Sequence, residues 1–343
     1  MVRTAFLQRL SILGLALTIT APAMASTQLT GAGSTFIYPF FSRAFYEYNK
    51  KHGDVAINYQ SIGSGGGIQQ FTEKTVDFGA SDVPMNADEL KRAGDPVIQI
   101  PVALGGITLA YNIPGVSNGL HLTRQLLVDI FLGKITKWND RRIIKLNASS
   151  HLPDLPIVVV HRSDGSGTTY IFTDFLSSVS GEWKSKVGTA KSVQWPAQNS
   201  VGAKGNEGAA GQIRNSPGSI GYVELAYAME NHMNTTALLN RSNQWVNCST
   251  ETVRAAAATR PNVNARNFSI VDSVGKRSYP IAGYTWAMVY EQPKDRSRGR
   301  QVHDVLDWVV NGDAQRYASQ LRYVSLPEGV QRSAKAALKR MRV

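Results

Sequence analysis

Four short loops of the chain carry residue types that can bind an oxyanion. Each places glycines and hydroxyl side chains where an apolar strand gives way to a helix or a turn; they are TGAGSTF (Thr30–Phe36), SIGSGGG (Ser61–Gly67), FGASD (Phe78–Asp82) and HRSDGSGTT (His161–Thr169). The first N–H groups of a helix lack partners inside the helix and lie at the positive end of its dipole, where an oxyanion binds well. The four loops therefore predict a site that surrounds a tetrahedral anion with donors.

The side chains of these loops add hydroxyl donors and one pair of opposite charges. The hydroxyl donors are Ser34, Thr35, Ser64, Ser166 and Thr168, and the charged pair is Arg162 with Asp164. Each loop on its own equally fits an ordinary helix start, since Ser or Thr at an N-cap is common. The anion site is favoured because four such loops occur in one chain and one of them contains an arginine.

A hydrolase is the main enzymatic alternative, because His161, Asp164 and Ser166 include the three residue types of a catalytic triad. They lie on one short loop, whereas a triad needs an imidazole that reaches the serine with an orienting acid behind it. The chain has neither a G-x-S-x-G string in the strand-turn-helix context of a nucleophile elbow nor a G-x-x-x-x-G-K-S/T loop. We therefore predict no catalytic residues, and the scattered histidines predict no metal site and no cofactor.

The elements that position these loops alternate between short apolar strands and helical segments, the pattern of an α/β fold with mostly parallel sheets. The predicted strands include Val55–Tyr59, Val97–Pro101, Ile107–Tyr111 and Ile157–His161. The predicted helices include Phe36–Tyr48, Thr168–Leu176, Gly208–Arg214 and Val302–Val310. The segment from Thr236 to Ser278 shows no assignable pattern.

The first 25 residues have the pattern of a cleaved signal peptide. Arg3 and Arg9 precede a short apolar run, Leu10–Ala21, and Ala23-Met24-Ala25 forms an A-x-A cleavage site. The run is shorter than the about 20 apolar residues that a membrane span needs. We expect cleavage before Ser26 and export of a soluble protein to the periplasm.

Without this leader the chain has 35 basic and 25 acidic residues, a net charge of +10. Such a charge favours anionic partners but does not locate a site. Nucleic acid is not expected, because the chain has no zinc-finger spacing, no RNP-like motif and no basic run interleaved with stacking residues. Cys248 is the single cysteine, so no internal disulfide forms and we expect it to be a buried apolar residue.

Six strings of residues carry a resemblance to a known family: TGAGSTF, NYQSIGSGGG, TVDFGASD, FLGKITKWND, RSDGSGTTY and GSIGYVELAYA. In this order they resemble the phosphate-specific periplasmic receptors of the high-affinity phosphate ABC transporter, the PstS family. The resemblance covers nearly the whole chain after the leader and is poor between Thr236 and Ser278. It implies an α/β fold of two lobes, the type II periplasmic binding protein or Venus flytrap, whose chain crosses the hinge twice.

The two candidate hinge crossings are the strand-like passages Pro101–Gly106 and Pro280–Val289. They predict a lobe I made of residues 26–103 and 282–343 and a lobe II made of residues 104–281, after a signal peptide of residues 1–25.

The resemblance also implies the phosphate ligands. Those of lobe I are Thr35, Phe36, Ser64 and Asp82, and those of lobe II are Arg162, Ser166, Gly167 and Thr168. Backbone N–H groups and hydroxyls of these residues would donate to phosphate oxygens, Arg162 would add charged donors, and Asp164 would orient Arg162. Gly65 stands where the family often has a second serine, which leaves the Gly65 N–H as the available donor.

Asp82 predicts which anion binds, because a carboxylate repels an anion unless the ligand carries a proton that it can share. Phosphate carries such a proton near neutral pH, and sulfate does not. A site built to hydrogen-bond a ligand hydroxyl can reject the analogue without it by about 10⁴ to 10⁵. The alternative role for Asp82 is a cap of the turn that follows the strand Val76–Ala80.

Together these features predict a monomeric receptor without catalysis that binds inorganic phosphate and delivers it to the transmembrane permease subunits of an ABC importer. The alternatives are a receptor for another tetrahedral oxyanion, sulfate or molybdate, and a phosphatase.

Overall fold

The computed structural model describes residues 27–343. The predicted signal peptide and its cleavage before Ser26 lie outside the described residues. Among residues 27–343, none of the helices has the length and apolar composition needed to cross a bilayer.

The described chain alternates strands and helices. The strands are β1 Thr27–Gly33, β2 Val55–Ser61, β3 Phe78–Ser81, β4 Val97–Asn112, β5 His121–Thr123, β6 Val158–Arg162, β7 Ser200–Ala203, β8 Ser219–Glu224, β9 Asn234–Thr235, β10 Ala237–Leu239, β11 Trp245–Asn247 and β12 Ala282–Tyr290. The helices are α1 Tyr38–Lys51, α2 Ser64–Thr72, α3 Ala87–Ala93, α4 Arg124–Phe131, α5 Arg141–Ile144, α6 Gly167–Val179, α7 Gly181–Lys186, α8 Gly205–Asn215, α9 Leu225–Glu230, α10 Thr250–Ala258, α11 Arg296–Asn311, α12 Gln315–Gln320 and α13 Glu328–Leu338.

Parallel strands and their connecting helices build the part of the molecule around β1, β2 and β3, which we call the first lobe. β1 lies between β2 and β3 and is parallel to both. α1 connects β1 to β2 and buries one apolar face, which consists of Phe40, Phe41, Ala44, Phe45 and Tyr48. Because the three strands are parallel, the loops that follow them all leave from the same edge of the sheet.

The part around β6, β7 and β8, which we call the second lobe, repeats this arrangement. β6 lies between β7 and β8 and is parallel to both, and β8 is antiparallel to β4. α6 follows β6, and α8 follows β7. The first turns of these two helices therefore lie at one edge of the second sheet.

β4 joins the two sheets, which corrects the prediction of separate strands at Val97–Pro101 and Ile107–Tyr111. Residues 97–106 pair antiparallel with β12, and residues 107–112 pair antiparallel with β8. Pro101 does not end the strand because the pairing shifts register beside it. Ala103 pairs with Thr285 and Pro101 with Trp286, which leaves Val102 as an extra residue of β4, and proline is tolerated at such bulges. The two passages predicted as hinge crossings therefore lie side by side.

The helix ends differ from the predictions for local reasons. α1 begins at Tyr38, since Pro39 fits the first turn where no N–H is needed. α6 begins at Gly167 because the Ser166 Oγ accepts from the Thr169 N–H at 3.0 Å. α11 begins six residues before the predicted Val302, because its first turns are arginine-rich and the apolar periodicity starts only at Val302.

The unassigned segment from Thr236 to Ser278 contains β10, β11 and α10. β10 pairs with β11 and with β5 to form a separate three-stranded sheet. Each of these strands has three residues, too few to show a two-residue period. A capping box between Ser249 and Thr252 begins α10.

Candidate functional site

Asp82 lies directly after β3 and accepts hydrogen bonds from side-chain hydroxyls only. The Ser34 hydroxyl donates to Oδ1, the Thr285 Oγ1 lies 2.8 Å from the same oxygen, and the Ser64 Oγ lies 3.5 Å from Oδ2. The residue is 2% exposed. Burial raises the pKa of Asp82 to about 6, although the three hydroxyls and the charge of Arg162 oppose that rise. No backbone N–H in residues 27–343 donates to this carboxylate, so it does not act as the turn cap considered above.

Arg162 ends β6 and is held by Asp164. The Arg162 Nε lies 2.7 Å from the Asp164 Oδ1, and its Nη2 lies 2.5 Å from Oδ2. Burial alone would raise the pKa of Asp164, but the hydrogen bonds and charge of Arg162 and the Gly205 N–H hold that pKa below its ordinary value. The guanidinium is thus fixed in place by a carboxylate that stays ionised.

The first turn of α6 faces the residues of the first lobe. A Cβ atom added at Gly167 would lie 2.5 Å from the Ser64 Oγ and 2.6 Å from the Asp82 Oδ2, so no larger residue fits there. The Arg162 Nη1 lies 3.3 Å from the Thr168 Oγ1. The N–H groups of Gly167 and Thr168 belong to the first turn and have no partner inside the helix.

Thr35 and Phe36 follow β1 and are fixed by tyrosines. The Tyr227 hydroxyl donates to the Thr35 carbonyl at 2.6 Å, and the Tyr323 hydroxyl donates to the Phe36 carbonyl at 2.5 Å. The Phe36 ring is fully buried and packs edge-on against Tyr323. These bonds occupy the two carbonyls, and the Phe36 N–H has no hydrogen-bond partner within residues 27–343.

The two lobes also touch through their backbones. The Gly65 N–H donates to the Gly165 carbonyl at 2.7 Å. We predicted from the sequence that this N–H is available to a ligand, but in the structure it forms a hydrogen bond between the lobes. A Cβ at Gly65 would lie 3.0 Å from the Gly165 Cα, so the missing side chain permits this close approach.

The structure brings together all eight predicted ligands, Thr35, Phe36, Ser64, Asp82, Arg162, Ser166, Gly167 and Thr168, at the facing edges of the two sheets. It also adds three residues that sequence reasoning left out of the ligand set, namely Ser34, Asn206 and Thr285. Asn206 could have been found from the string AKGNEG, because a glycine after β7 opens α8 just as glycines open the other loops. Thr285 carries no local signal, since it lies inside a strand far along the chain.

His161 does not join a catalytic relay. Its Nδ1 lies 3.0 Å from the Arg162 carbonyl, and its ring stacks on Trp195. Burial lowers the pKa of His161. Within residues 27–343 it makes no hydrogen bond to Asp164 or Ser166. The site can therefore offer many donors and one acceptor carboxylate to a small anion.

The chain is similar in sequence to known proteins. Residues 18–313 match the model of a PBP superfamily domain. The Phosphate-binding protein PstS of Xylella fastidiosa (strain Temecula1) is 46% identical over 314 residues, which cover 91% of this chain and 85% of that protein.

Solved structures have the same fold. A high affinity periplasmic phosphate-binding protein (PfluDING) bound with phosphate gives a TM-score of 0.71 at 21% identity, over 90% of this chain and 93% of that chain. A structure from Clostridium perfringens contains bound phosphate and is named as the substrate-binding protein of a phosphate ABC transporter. It gives a TM-score of 0.63 at 20% identity, over 87% of this chain and 99% of that chain. The predicted fold class, a two-lobed α/β binding protein, is confirmed.

Proposed function

We propose that this chain, which belongs to the PstS family of phosphate-binding proteins within the PBP superfamily, binds inorganic phosphate between its two lobes and delivers it to an ABC importer. The observation that carries the proposal is the single buried acceptor, Asp82, among donors from both lobes. An anion with a proton satisfies this acceptor, and an anion without one leaves it facing bare oxygens.

Each ligand has a role that follows from its hydrogen-bonding capacity. The N–H groups of Phe36, Gly167 and Thr168 and the hydroxyls of Thr35, Ser64, Ser166 and Thr168 donate to phosphate oxygens. Arg162 adds charged donors, which make stronger hydrogen bonds than neutral ones. Asp164 orients Arg162 and offsets its charge, so affinity depends on directed dipoles as much as on net charge.

The protein acts as a receptor without catalysis in this proposal. His161 is engaged with Trp195 and the backbone, and Ser166 caps α6. Sulfate and molybdate receptors remain the alternatives among binding proteins. Asp82 disfavours both, because neither dianion carries a proton near neutral pH.

The cellular setting is part of the same proposal. A signal peptide of residues 1–25 directs the chain to the periplasm, where it works as a monomer and docks on the transmembrane permease subunits, without a nucleic-acid partner. Lobe I comprises residues 26–103 and 282–343, and lobe II comprises residues 104–281. The exchange of partners along β4, from β12 to β8 after Gly106, supports these boundaries.

Calorimetry of the phosphate-stripped protein tests the proposal. We expect tight binding of phosphate, binding of sulfate and molybdate that is weaker by about 10⁴ to 10⁵, and no release of phosphate from phosphoesters in a parallel assay. Ser64→Ala should lower phosphate affinity by roughly 10- to 100-fold, since a hydrogen bond to a charged group contributes about 1.5–3 kcal/mol. Ser333→Ala on an exposed helix face is the matched control and should change nothing. Tight sulfate binding or turnover would overturn the proposal.

A further inference from the structure

Asn206 is fully buried and contacts ligand residues of both lobes. It lies in the first turn of α8, in the second lobe. Its backbone N–H and its Nδ2 lie 3.1 Å and 2.8 Å from the Thr35 Oγ1. The same Nδ2 lies 3.2 Å from the Thr168 Oγ1. One amide group therefore bridges the two threonine hydroxyls across the cleft.

The orientation of the Asn206 amide follows from its other partner. The Glu224 backbone N–H lies 2.9 Å from the Asn206 Oδ1. An N–H needs an acceptor, so the amide oxygen must face Glu224 and the NH₂ group must face the threonines. Each of its two hydrogens then has one threonine oxygen to bind.

These contacts use up the acceptor capacity of both hydroxyls. A hydroxyl has two acceptor positions and one donor hydrogen. The Thr35 Oγ1 accepts from the N–H and the Nδ2 of Asn206, and the Thr168 Oγ1 accepts from the Asn206 Nδ2 and, at 3.3 Å, from the Arg162 Nη1. Within residues 27–343 no acceptor takes either hydroxyl hydrogen. Each hydroxyl can therefore act toward a ligand only as a donor.

We propose that Asn206 is a positioning residue that fixes the Thr35 and Thr168 hydroxyls as donors to the bound oxyanion. The inference rests on the proposed function, because it assumes that the oxyanion binds between these threonines. It complements Asp82, where hydroxyl hydrogens converge on a carboxylate. The two buried side chains thus set opposite polarities within one site, donors near Asn206 and an acceptor at Asp82.

Proton NMR of the phosphate complex tests the polarity directly. In the wild-type complex, the hydroxyl hydrogens of Thr35 and Thr168 should exchange slowly and show through-hydrogen-bond coupling to ³¹P. In Asn206→Asp, a carboxylate oxygen takes the place of the Nδ2 that faces the threonines, so both hydroxyls should turn to donate to residue 206 and the coupling should disappear. Absence of the coupling in the wild-type complex, or its survival in Asn206→Asp, would overturn the inference.

Affinity measurements test how Asn206 acts. Asn206→Ala should weaken phosphate binding by about 10-fold and Asn206→Asp by at least about 100-fold, as expected for lost hydrogen bonds to a charged ligand. In a Thr35→Val background, where one of the two hydroxyls is absent, Asn206→Ala should have a clearly smaller effect. An equal effect in both backgrounds would mean that Asn206 acts by another route.

A buried asparagine away from the site provides the control for folding. Asn240 is also fully buried, and its Nδ2 donates to the carbonyls of Gly275, Lys276 and Ser278. Asn240→Ala should lower the unfolding temperature and leave phosphate affinity unchanged. If the wild-type protein does not bind phosphate, the proposed function fails. If the wild type binds and the Asn206 variants bind equally well, this inference alone fails.

Discussion

The two lobes meet in two regions of different chemistry, a deep one and a peripheral one. The deep region contains Thr35, Asn206, Gly167 and Asp82, all buried, and joins the lobes through dipoles and one carboxylate. In the peripheral region, the Lys191 ammonium forms an ion pair with Glu89. The Lys191 side chain is 20% exposed and the Glu89 side chain is 8% exposed. From this difference we expect the deep region to decide which anion binds and the peripheral region to decide how firmly the lobes stay closed.

The two regions should act differently because they differ in their contact with solvent. A buried polar group left without its partner costs about 1–3 kcal/mol, and more if the group is charged, so we expect the deep region to discriminate strongly between ligands. An ion pair in contact with water contributes about 0–1 kcal/mol and is screened by salt. A residue exchange in the deep region should therefore change selectivity, and one in the peripheral region should change affinity for every ligand alike.

Asp82→Asn should have the largest effect, on selectivity. The amide can donate to a bare oxygen, so sulfate no longer faces an unpaired acceptor, and discrimination of phosphate over sulfate should fall from about 10⁴–10⁵ to roughly tenfold. Competition calorimetry with both anions measures this ratio. Asp95→Asn, at an exposed ion pair with Lys74, is the matched control and should leave the ratio unchanged. Undiminished discrimination in Asp82→Asn would show that Asp82 has a structural role only.

Lowering the pH should achieve the same change reversibly. Burial raises the pKa of Asp82 to about 6, so the carboxyl group of the free protein takes up its proton as the pH falls through that value. If sulfate binds only the protonated form, its affinity should rise about tenfold per pH unit from pH 8 to 6 and level off near pH 5, about 100-fold in all. The rise should be absent in Asp82→Asn, which does not titrate. If the sulfate affinity of the wild type does not change with pH, Asp82 does not control the choice between phosphate and sulfate.

Much of the deep region could be predicted from the sequence, because its residues follow parallel strands. Such strands end at a common edge, so the loops that contain Thr35, Ser64, Asp82 and Arg162 had to come together once the α/β pattern was recognised. Thr285 and the use of the Gly65 N–H could not be predicted in this way. They depend on how β12 pairs with β3 and how the two lobes face each other, and neither leaves a pattern within a few residues of sequence.

The long strand β4 shows a similar limit in the fold. Pro101 divides its apolar pattern, and proline ordinarily ends or borders a strand. An extra residue of β4, Val102, shifts the register against β12 and accommodates the proline, and this shift appears only when β4 pairs with a segment about 180 residues later in the chain. Local patterns therefore predicted the right elements and misjudged how they join.

Gly65→Val should have an intermediate effect, on affinity. Even a Cβ at this position lies 3.0 Å from the Gly165 Cα and 3.1 Å from its carbonyl oxygen, so a valine must push the lobes apart. Overpacking of this kind costs about 1–3 kcal/mol, which corresponds to roughly 5- to 150-fold weaker phosphate binding. Discrimination against sulfate should be kept. Gly53→Val, where an added Cβ meets nothing within 4 Å, is the control. Full affinity in Gly65→Val would mean that this backbone contact is not needed for binding.

Removing the peripheral ion pair should have the smallest effect, mainly on the rate of phosphate release. Glu89→Gln keeps the shape of the side chain, including an oxygen for the Asn86 N–H that begins α3, and removes only the charge that faces Lys191. Because the pair joins the two lobes, its loss should speed phosphate release about two- to fivefold at low salt, in line with a contribution below about 1 kcal/mol. The difference from wild type should vanish in about 0.5 M salt, where the Debye length is only a few ångströms.

Stopped-flow measurement of phosphate release tests this prediction. The charge-swapped pair Glu89→Lys and Lys191→Glu serves as the rescue, which distinguishes attraction between the lobes from damage to α3. If the swapped protein releases phosphate as fast as Glu89→Gln does, the peripheral region does not hold the lobes closed through its charges, and closure depends on the deep region alone.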